Sequence, residues 1–140
     1  MIYLYTGTGG GKTTAALGLA LRAIGHGYRV VIVQFMKGRK DTGEFKVKKL
    51  LGKRYDIHQF GRRGFVNLKA PAEVDRALAE RGLEFAKAEL RKKPRMLILD
   101  EINIAASIGL LDTDEVVRML RAAPIRTTIR LQVVRLARLA

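Results

Sequence analysis

The chain of 140 residues contains neither cysteine nor tryptophan, and its aromatic residues are limited to five phenylalanines and four tyrosines. Without cysteine it can form neither a disulfide nor a thiolate metal site. No apolar run approaches the roughly 18 residues of a membrane-spanning helix. The first apolar segment is only as long as a strand, which is too short for a secretion signal. We therefore expect a cytoplasmic protein that does not associate with membranes.

Acidic residues are also few, which leaves a formal net charge of +14. Residues 37–63 contain ten basic and three acidic side chains, and residues 116–140 contain six arginines and no acid. Such a surface can attract nucleic acid, an anionic small substrate, or only water and counterions. Because aromatic residues are scarce and no nucleic-acid-binding module is recognisable, we do not expect nucleic acid as the partner.

The most informative motif is a glycine-rich loop between an apolar strand at 2–5 and a helix predicted over 15–24. Glycines let the backbone turn its N–H groups around an anion, and the following helix adds the positive end of its dipole. Lys12 can then reach the outer phosphates, while the Thr13 hydroxyl can ligate Mg²⁺. The predicted ATP-binding residues are Thr6, Gly7, Thr8, Gly9, Gly10, Gly11, Lys12, Thr13 and Thr14.

This loop departs from the usual pattern G-x-x-x-x-G-K-[ST] at one position, because Thr6 stands where the pattern begins with glycine. The alternative interpretation is a glycine-rich turn that only caps a strand. The order of strand, loop and helix favours a phosphate-binding loop over that alternative.

A second motif is the apolar run at 96–99, which leads directly into Asp100 and Glu101. An acid pair at the end of a buried strand is typical of a Walker B motif, in which a carboxylate holds Mg²⁺ directly or through water. Together with Thr13, these two acids are the predicted metal ligands. The alternative is that the acids only keep the strand end solvated. The sequence identifies no water-activating glutamine and no arginine finger, so the reaction stays open at this point.

Strands and helices alternate along the rest of the chain. Strands are predicted over 29–35 and 55–60, and helices over 71–92 and from residue 112. Nearly continuous apolar strands indicate a parallel sheet covered on both faces. We expect residues 1–140 to form a single α/β domain of the three-layer P-loop NTPase (RecA-like) kind, with a mostly parallel sheet. Ligands in such folds bind beyond the carboxyl ends of the strands, which would place the glycine loop beside the acid pair.

The helix predicted over 71–92 is amphipathic. Its predicted apolar side comprises Val74, Leu78, Gly82, Phe85, Ala86 and Leu90. Such a broad apolar side suits packing on a sheet. The residues expected on the opposite, solvent-facing side are Glu73, Arg76, Glu80, Glu84, Lys87 and Arg91.

With these motifs, the chain resembles the P-loop ATP:corrinoid adenosyltransferases, also called cob(I)alamin adenosyltransferases. The resemblance reaches from about residue 2 to 124 and rests on residues 5–18, 22–27, 33–38, 60–65 and 98–103. Its most specific part is Gly-His-Gly followed by Val-Gln-Phe-Met-Lys-Gly. Such enzymes transfer the 5′-deoxyadenosyl group of ATP to the cobalt of a reduced corrinoid and release triphosphate, a step of cobalamin biosynthesis.

The resemblance implies roles for residues at the nucleotide. Lys12 would neutralise the triphosphate, and Thr13 with Glu101 or Asp100 would hold the Mg²⁺ that accompanies ATP. Lys12, Thr13 and Glu101 are therefore the implied catalytic residues. Co(I) is already a strong nucleophile, so the protein needs no base to create one. Its task is to orient C5′ of ATP toward cobalt and to stabilise charge on the departing triphosphate.

The resemblance also implies a corrinoid site with Arg62 and Phe65. Phe65 matches an aromatic residue that helps to free cobalt from its lower ligand, and the alternative for Phe65 is a place in the core. The basic segment 37–63 would meet the anionic tail of the corrinoid or would simply be solvated. An electron-donating reductase is the implied protein partner. The oligomeric state stays open, with a homodimer as one option.

Three departures from the family pattern accompany this resemblance. Gly10 stands where many members carry lysine, and Asn67 stands where many bacterial members carry tryptophan. From about residue 125 the chain lacks the usual Thr-Gly-Arg turn, although a strand is still predicted near 127–134, followed by a mobile end. Two other functions therefore stay open, a P-loop ATPase acting on nucleic acid and a non-catalytic relative that binds ATP or corrinoid.

Overall fold

The computed structural model of the chain describes residues 1–7 and 10–134, the last four of these by their backbone only. The strands are β1 Ile2–Gly7, β2 Val30–Phe35, β3 Tyr55–Phe60, β4 Met96–Asp100 and β5 Thr128–Val134. The helices are α1 Lys12–Gly25, α2 Gly43–Lys46, α3 Lys48–Leu51, α4 Glu73–Arg91, α5 Ile102–Ser107 and α6 Thr113–Arg121. A short 3-10 turn, Gly52–Arg54, leads into β3.

The five strands form one sheet in the order β1-β5-β4-β2-β3, and every pair of neighbours is parallel. Strands β2 and β4 lie in the middle of the sheet and are buried along their whole length, as their continuous apolar runs predicted. The predicted α/β class with a parallel sheet is therefore confirmed. Since all strands run the same way, their carboxyl ends lie along one edge of the sheet, where the site is found.

Helices cover both faces of the sheet. On one face, Ala16 and Ala20 of α1 pack against a cluster formed by Val30, Ile32, Tyr55, Ile57, Met96 and Ile98. On the other face, α4, α5 and α6 cover residues such as Val31, Leu97 and Ile129. Alternate residues of each strand point to opposite faces, so both layers share the same strands. No helix in the described part of the chain is long and apolar enough to cross a membrane.

The apolar side predicted for α4 is partly wrong. Val74 is 48% exposed, whereas Asp75 and Glu89 are buried. The helix is rotated so that Ala79, Leu83 and Ala86 face the core. Each buried acid has a cationic partner, since Arg62 pairs with Asp75 while Arg29 and Lys92 pair with Glu89. A buried charge is tolerable when it is paired in this way.

Gly82 explains how closely α4 approaches the sheet. A Cβ atom at this position would lie 2.9 Å from Phe35 Cε1 and 3.0 Å from Phe60 Cβ. A side chain here would therefore push α4 off the strands whose ends carry the site. The glycine is needed for packing, as the sequence pattern had placed it on the apolar side.

The strand predicted near 127–134 is confirmed as β5, but it is not an edge strand. It pairs with β1 on one side and with β4 on the other, so it joins the two strands that lead into the predicted motifs. Backbone pairs such as Leu4↔Leu131↔Leu99 run across all three strands. The predicted mobile end after this strand lies outside the described residues.

Candidate active site

The glycine loop links β1 to α1, and α1 begins at Lys12, three residues earlier than predicted. Gly11 precedes the helix with φ 96°, a left-handed conformation that glycine adopts without strain. Lys12, Thr13 and Thr14 therefore form the first helical turn, whose N–H groups have no acceptor within the helix and are directed toward the loop. Thr6, Gly7, Gly10 and Gly11 frame the loop on either side, while Thr8 and Gly9 lie outside the described residues.

Side chains from the two predicted motifs meet at the carboxyl ends of β1 and β4. Thr13 Oγ1 donates a hydrogen bond to Asp100 Oδ1 over 3.3 Å. Lys12 Nζ donates to the carbonyl oxygen of Gly7 over 3.1 Å, so its ammonium lies over the loop that it is predicted to serve. The structure thus brings the loop lysine, the helix hydroxyl and the strand-end acid to one place.

Asp100 is almost completely enclosed, with 1% of the residue exposed. Besides Thr13, it accepts hydrogen bonds from Gln34 Nε2 over 3.0 Å and from Lys37 Nζ over 2.7 Å, both to Oδ2. Burial alone would lower the pKa of Lys37, but the charge of Asp100 and this hydrogen bond outweigh it, so the pKa lies above its usual value. Lys37 is therefore a cation held against a buried carboxylate.

Glu101 follows Asp100 but is placed differently. Its backbone is left-handed, with φ 64°, and it caps the start of α5, a helix that the sequence pattern did not predict. Its side chain is 30% exposed, with Oε1 at 3.7 Å from Lys37 Nζ. Burial raises the pKa of Glu101, and the neighbouring charge of Asp100 adds to this, although Lys37 and Lys12 oppose it. A left-handed non-glycine residue stores strain, which is characteristic of functional sites.

Sequence reasoning missed Gln34 and Lys37 as site residues. Gln34 is fully buried within β2. It is the polar residue of an otherwise apolar strand, and this exception could have indicated a functional role, because buried polar groups need hydrogen-bond partners. Lys37 follows Met36, whose left-handed backbone, with φ 58°, turns the chain over the strand end. Both residues lie within the segment 33–38 on which the family resemblance rested.

A cleft of about 630 Å³ opens beside these groups, between the loops that follow β2 and β3. Its lining includes Glu101 and Lys37 of the acid-pair region, together with Phe65 and Leu68 of the loop after β3. Phe65 is 100% exposed, which excludes the alternative that it belongs to the core. A fully exposed aromatic ring beside a cleft is available for contact with a flat, largely apolar ligand.

Arg62, the other predicted corrinoid residue, also lines the cleft but is directed toward α4. Its Nε and Nη2 atoms each lie 2.7 Å from a carboxylate oxygen of Asp75. Asp75 also accepts the N–H of Ala72 over 3.1 Å. The structure therefore places Arg62 as the anchor of the loop that carries Phe65.

The loops after β2 and β3 pack backbone against backbone. A Cβ atom on Gly38 would lie 2.3 Å from the carbonyl oxygen of Gly61, and one on Gly61 would lie 2.3 Å from the carbonyl carbon of Met36. Neither position tolerates a side chain without a backbone shift. The loop that carries Lys37 and the loop that carries Phe65 are thereby held in fixed register.

The fold and the glycine loop together define an α/β protein with a parallel sheet, a glycine-rich loop after β1 and an acid pair at the carboxyl end of β4. Residues 1–131 match the model of the family described as ATP:corrinoid adenosyltransferase BtuR/CobO/CobP. The chain therefore belongs to the ATP:corrinoid adenosyltransferase family, as the resemblance had indicated.

Curated relatives named corrinoid adenosyltransferase agree with this assignment. The chain is 40% identical to one from Sinorhizobium sp, over 86% of this chain and 57% of the relative. It is 35% identical to one from Pseudomonas aeruginosa, over 89% of this chain and 61% of the relative. It is also 35% identical to one from Escherichia coli K12, over 92% and 65% respectively. The chain thus spans about three fifths of the length of these relatives.

Proposed function

We propose that this chain transfers the 5′-deoxyadenosyl group of ATP to the cobalt of a reduced corrinoid. In this step Co(I) attacks C5′, a Co–C bond forms, the C5′–O bond breaks, and its electron pair leaves with the triphosphate. The observation that carries the proposal is the juxtaposition of two features. The glycine loop and Asp100 meet through Thr13, and the cleft lined by the exposed Phe65 opens directly beside them.

The nucleotide end of this site is proposed to be the segment from Thr6 to Thr14. The first turn of α1 supplies N–H donors and the positive end of the helix dipole. Lys12 already lies over the loop, so its ammonium can contact phosphate oxygens without a large movement. A cation and N–H groups near the α- to γ-phosphates would stabilise charge as it develops on the leaving triphosphate.

The donor set suits Mg²⁺. Thr13, Asp100 and Glu101 offer one hydroxyl and two carboxylates, which are oxygen ligands of the type that Mg²⁺ prefers. Because Mg²⁺ usually keeps several waters and binds through one or two carboxylates together with substrate phosphates, these residues would hold it jointly with the triphosphate. We propose Glu101 as the more direct ligand, because it is the more exposed acid of the two and lines the cleft.

The corrinoid is proposed to bind in the cleft between the loops after β2 and β3. Phe65 would contact the macrocycle or the lower ligand of cobalt, and Arg62 would hold the Phe65 loop in place. Arg63 lines the same cleft and adds positive charge for an anionic tail. One domain over the whole chain, an electron-donating reductase, a homodimer and a cytoplasmic location remain predictions that accompany this function.

The test is to mix the protein with ATP, Mg²⁺ and chemically reduced cobalamin and to follow the visible spectrum. An adenosyltransferase gives the spectrum of adenosyl-cobalt, which fades on illumination as the Co–C bond breaks. A P-loop ATPase acting on nucleic acid instead releases phosphate without this spectrum. Binding of ATP and cobalamin with neither product would leave a non-catalytic relative as the better description.

A further inference from the structure

The ammonium of Lys37 lies between the two carboxylates of the acid pair. Its Nζ is 2.7 Å from Asp100 Oδ2 and 3.7 Å from Glu101 Oε1. These are the two acids proposed above as metal ligands. A cation from the protein itself therefore already neutralises the place where Mg²⁺ would bind.

We propose that the Lys37 ammonium occupies the metal position between Asp100 and Glu101 in the nucleotide-free protein and moves away when ATP and Mg²⁺ bind together. This inference rests on the proposed function of the acid pair. The ammonium and the metal exclude each other, because Mg²⁺ binds oxygen at about 2.0–2.1 Å and would need the carboxylate face that Lys37 occupies. Two cations sharing one carboxylate pair at such distances would also repel each other.

The chemistry of lysine suits an exchangeable contact. Lysine carries a compact charge on a flexible four-carbon stem, whereas the rigid guanidinium fork of arginine fixes a carboxylate in one geometry. Lys37 makes a single short contact to Asp100, and its side chain is 25% exposed toward the cleft that it lines. The side chain therefore has space in which to withdraw from the acids.

The backbone around Lys37 is, by contrast, fixed. Met36 adopts a left-handed conformation, and Gly38 packs directly on the backbone of Gly61. Movement of Lys37 is thereby confined to its side chain. Asp100 keeps hydrogen bonds from Gln34 and Thr13 when the ammonium leaves, so the buried acid is not stripped of all donors.

The consequence is a coupling between metal and nucleotide. Without ATP, Mg²⁺ must displace the Lys37 ammonium, which then loses its two carboxylate partners. With ATP, the released ammonium can contact the triphosphate that also ligates the metal. The affinity for the metal should therefore be low without ATP and high with ATP, and Lys37 should account for much of the difference between the two affinities. Since linkage is reciprocal, ATP should also bind more tightly when metal is present.

The experiment measures Mn²⁺ binding, as a paramagnetic substitute for Mg²⁺, from the electron paramagnetic resonance signal of free Mn²⁺. Wild type and Lys37→Met are titrated with and without a non-hydrolysable ATP analogue. Methionine keeps an unbranched stem of similar length and removes the charge. In Lys37→Met we expect nucleotide-free Mn²⁺ binding to tighten about tenfold or more, and the enhancement of Mn²⁺ binding by the analogue to shrink by a similar factor.

Two further variants control this comparison. Lys40→Met removes the same charge from an exposed position of the same loop, so its Mn²⁺ affinity should stay within about twofold of wild type. Lys37→Arg keeps the charge at the acids and should bind nucleotide-free Mn²⁺ as weakly as wild type. It also keeps the experiment informative if Lys37→Met fails to fold.

The outcomes separate this inference from the proposed function. If Lys37→Met folds and binds nucleotide-free Mn²⁺ no more tightly than wild type, Lys37 does not hold the metal position. Tighter Mn²⁺ binding by Lys37→Arg would overturn the inference in the same way. If Mn²⁺ binds wild type equally well with and without the analogue, the exchange is absent although the metal site stands. If Mn²⁺ binds neither protein even with the analogue, the proposed metal site and this inference both fail.

Discussion

Two buried carboxylates at the same end of the molecule are held in different ways. Asp75 on α4 receives both Nε and Nη2 of Arg62 at 2.7 Å, together with the N–H of Ala72. Asp100 at the end of β4 receives one lysine, one amide and one hydroxyl, from three different elements. Both side chains are only 1% exposed.

The difference separates an anchor from a ligand site. The planar fork of arginine satisfies a carboxylate in one fixed geometry and leaves little reason for exchange. The donors to Asp100 are single contacts, and its cationic partner lies on a flexible stem beside an open cleft. Burial alone therefore does not identify a functional acid. The identity of its partners and their access to a ligand decide between the two roles.

The largest effect should come from exchanging the two carboxylates for amides of the same size. We expect Asp100→Asn to lower Mg²⁺-dependent turnover by about a hundredfold or more, because the amide cannot balance the metal charge. Asp75→Asn, as the matched control, should stay within about tenfold of wild type at a temperature where it is folded. Steady-state rates at limiting Mg²⁺ test this. If Asp100→Asn and Glu101→Gln both keep wild-type turnover, the metal assignment is wrong.

A second prediction concerns the lysine over the glycine loop. Lys12→Ala should weaken ATP binding about ten- to a hundredfold, since a charge-assisted contact contributes roughly 1.5–3 kcal/mol. The melting temperature should hardly change, because the side chain is not part of either core cluster. Calorimetric titration with ATP provides the measurement, with Lys40→Ala as the control for lost net charge. Unchanged affinity in Lys12→Ala would mean that the nucleotide binds elsewhere.

Loss of the Asp75 charge should lower the stability of the fold and leave the rate of the reaction nearly unchanged. Asp75→Asn should lower the free energy of unfolding by about 1–3 kcal/mol, because a buried charge-assisted network loses its charge. Urea unfolding at pH 7 measures this difference. A loss of activity with unchanged stability would reverse the roles assigned to Asp75 and Asp100.

The ion pair between Arg62 and Asp75 also predicts that the free energy of unfolding depends on pH. The hydrogen bond from Arg62 lowers the pKa of Asp75, although burial opposes it. Because the folded pKa lies below the unfolded value of about 3.9, the unfolded state binds the proton more readily there. The stabilisation is thus present above about pH 4 and is lost as pH falls through the folded pKa. The free energies of unfolding of wild type and Asp75→Asn should therefore approach each other as the pH is lowered. A difference between them that stays the same from neutral to acid pH would contradict this.

The smallest change in stability is expected at Phe65. Phe65→Ala should melt like wild type, because the ring is fully exposed. It should slow adenosylation that starts from Co(II), where the lower ligand must leave before reduction, and it should affect pre-formed Co(I) less. Tyr28→Ala removes a partly exposed aromatic ring from the opposite end of β2 and serves as the control. Equal rates from Co(II) in wild type and Phe65→Ala would remove Phe65 from the corrinoid site.

The sequence patterns predicted the elements whose signals are local. The strand leading into Asp100, the strand at 55–60 and the strand near the end of the chain were each predicted within a few residues. Apolar runs and turn residues lie next to one another in sequence, so they can be recognised without the fold. The start of α1 at residue 12 was harder to predict, because a helix that begins directly after a glycine-rich loop has no clear local signal for its first residue.

What could not be predicted depends on pairing between distant residues. Glu89 is buried because Arg29, 60 positions away, reaches it. Lys37 faces Asp100 across 63 positions, and only the sheet order brings β2 next to β4. The left-handed backbone at Glu101 has no local signal either, since glutamate rarely adopts it. Such contacts bury Asp75 and Glu89, two acids of α4 that the sequence pattern had assigned to neither side of the helix.

The most direct measurement is the stoichiometry of the products in a single turnover. Protein in excess over pre-formed Co(I) cobalamin is mixed with ATP and Mg²⁺, and adenosyl-cobalt and triphosphate are both quantified. We predict one triphosphate for each adenosyl-cobalt in wild type, and formation of both products at least about a hundredfold more slowly in Asp100→Asn. Release of ADP and phosphate without a Co–C bond would contradict adenosyl transfer and would make this chain a nucleotide hydrolase instead.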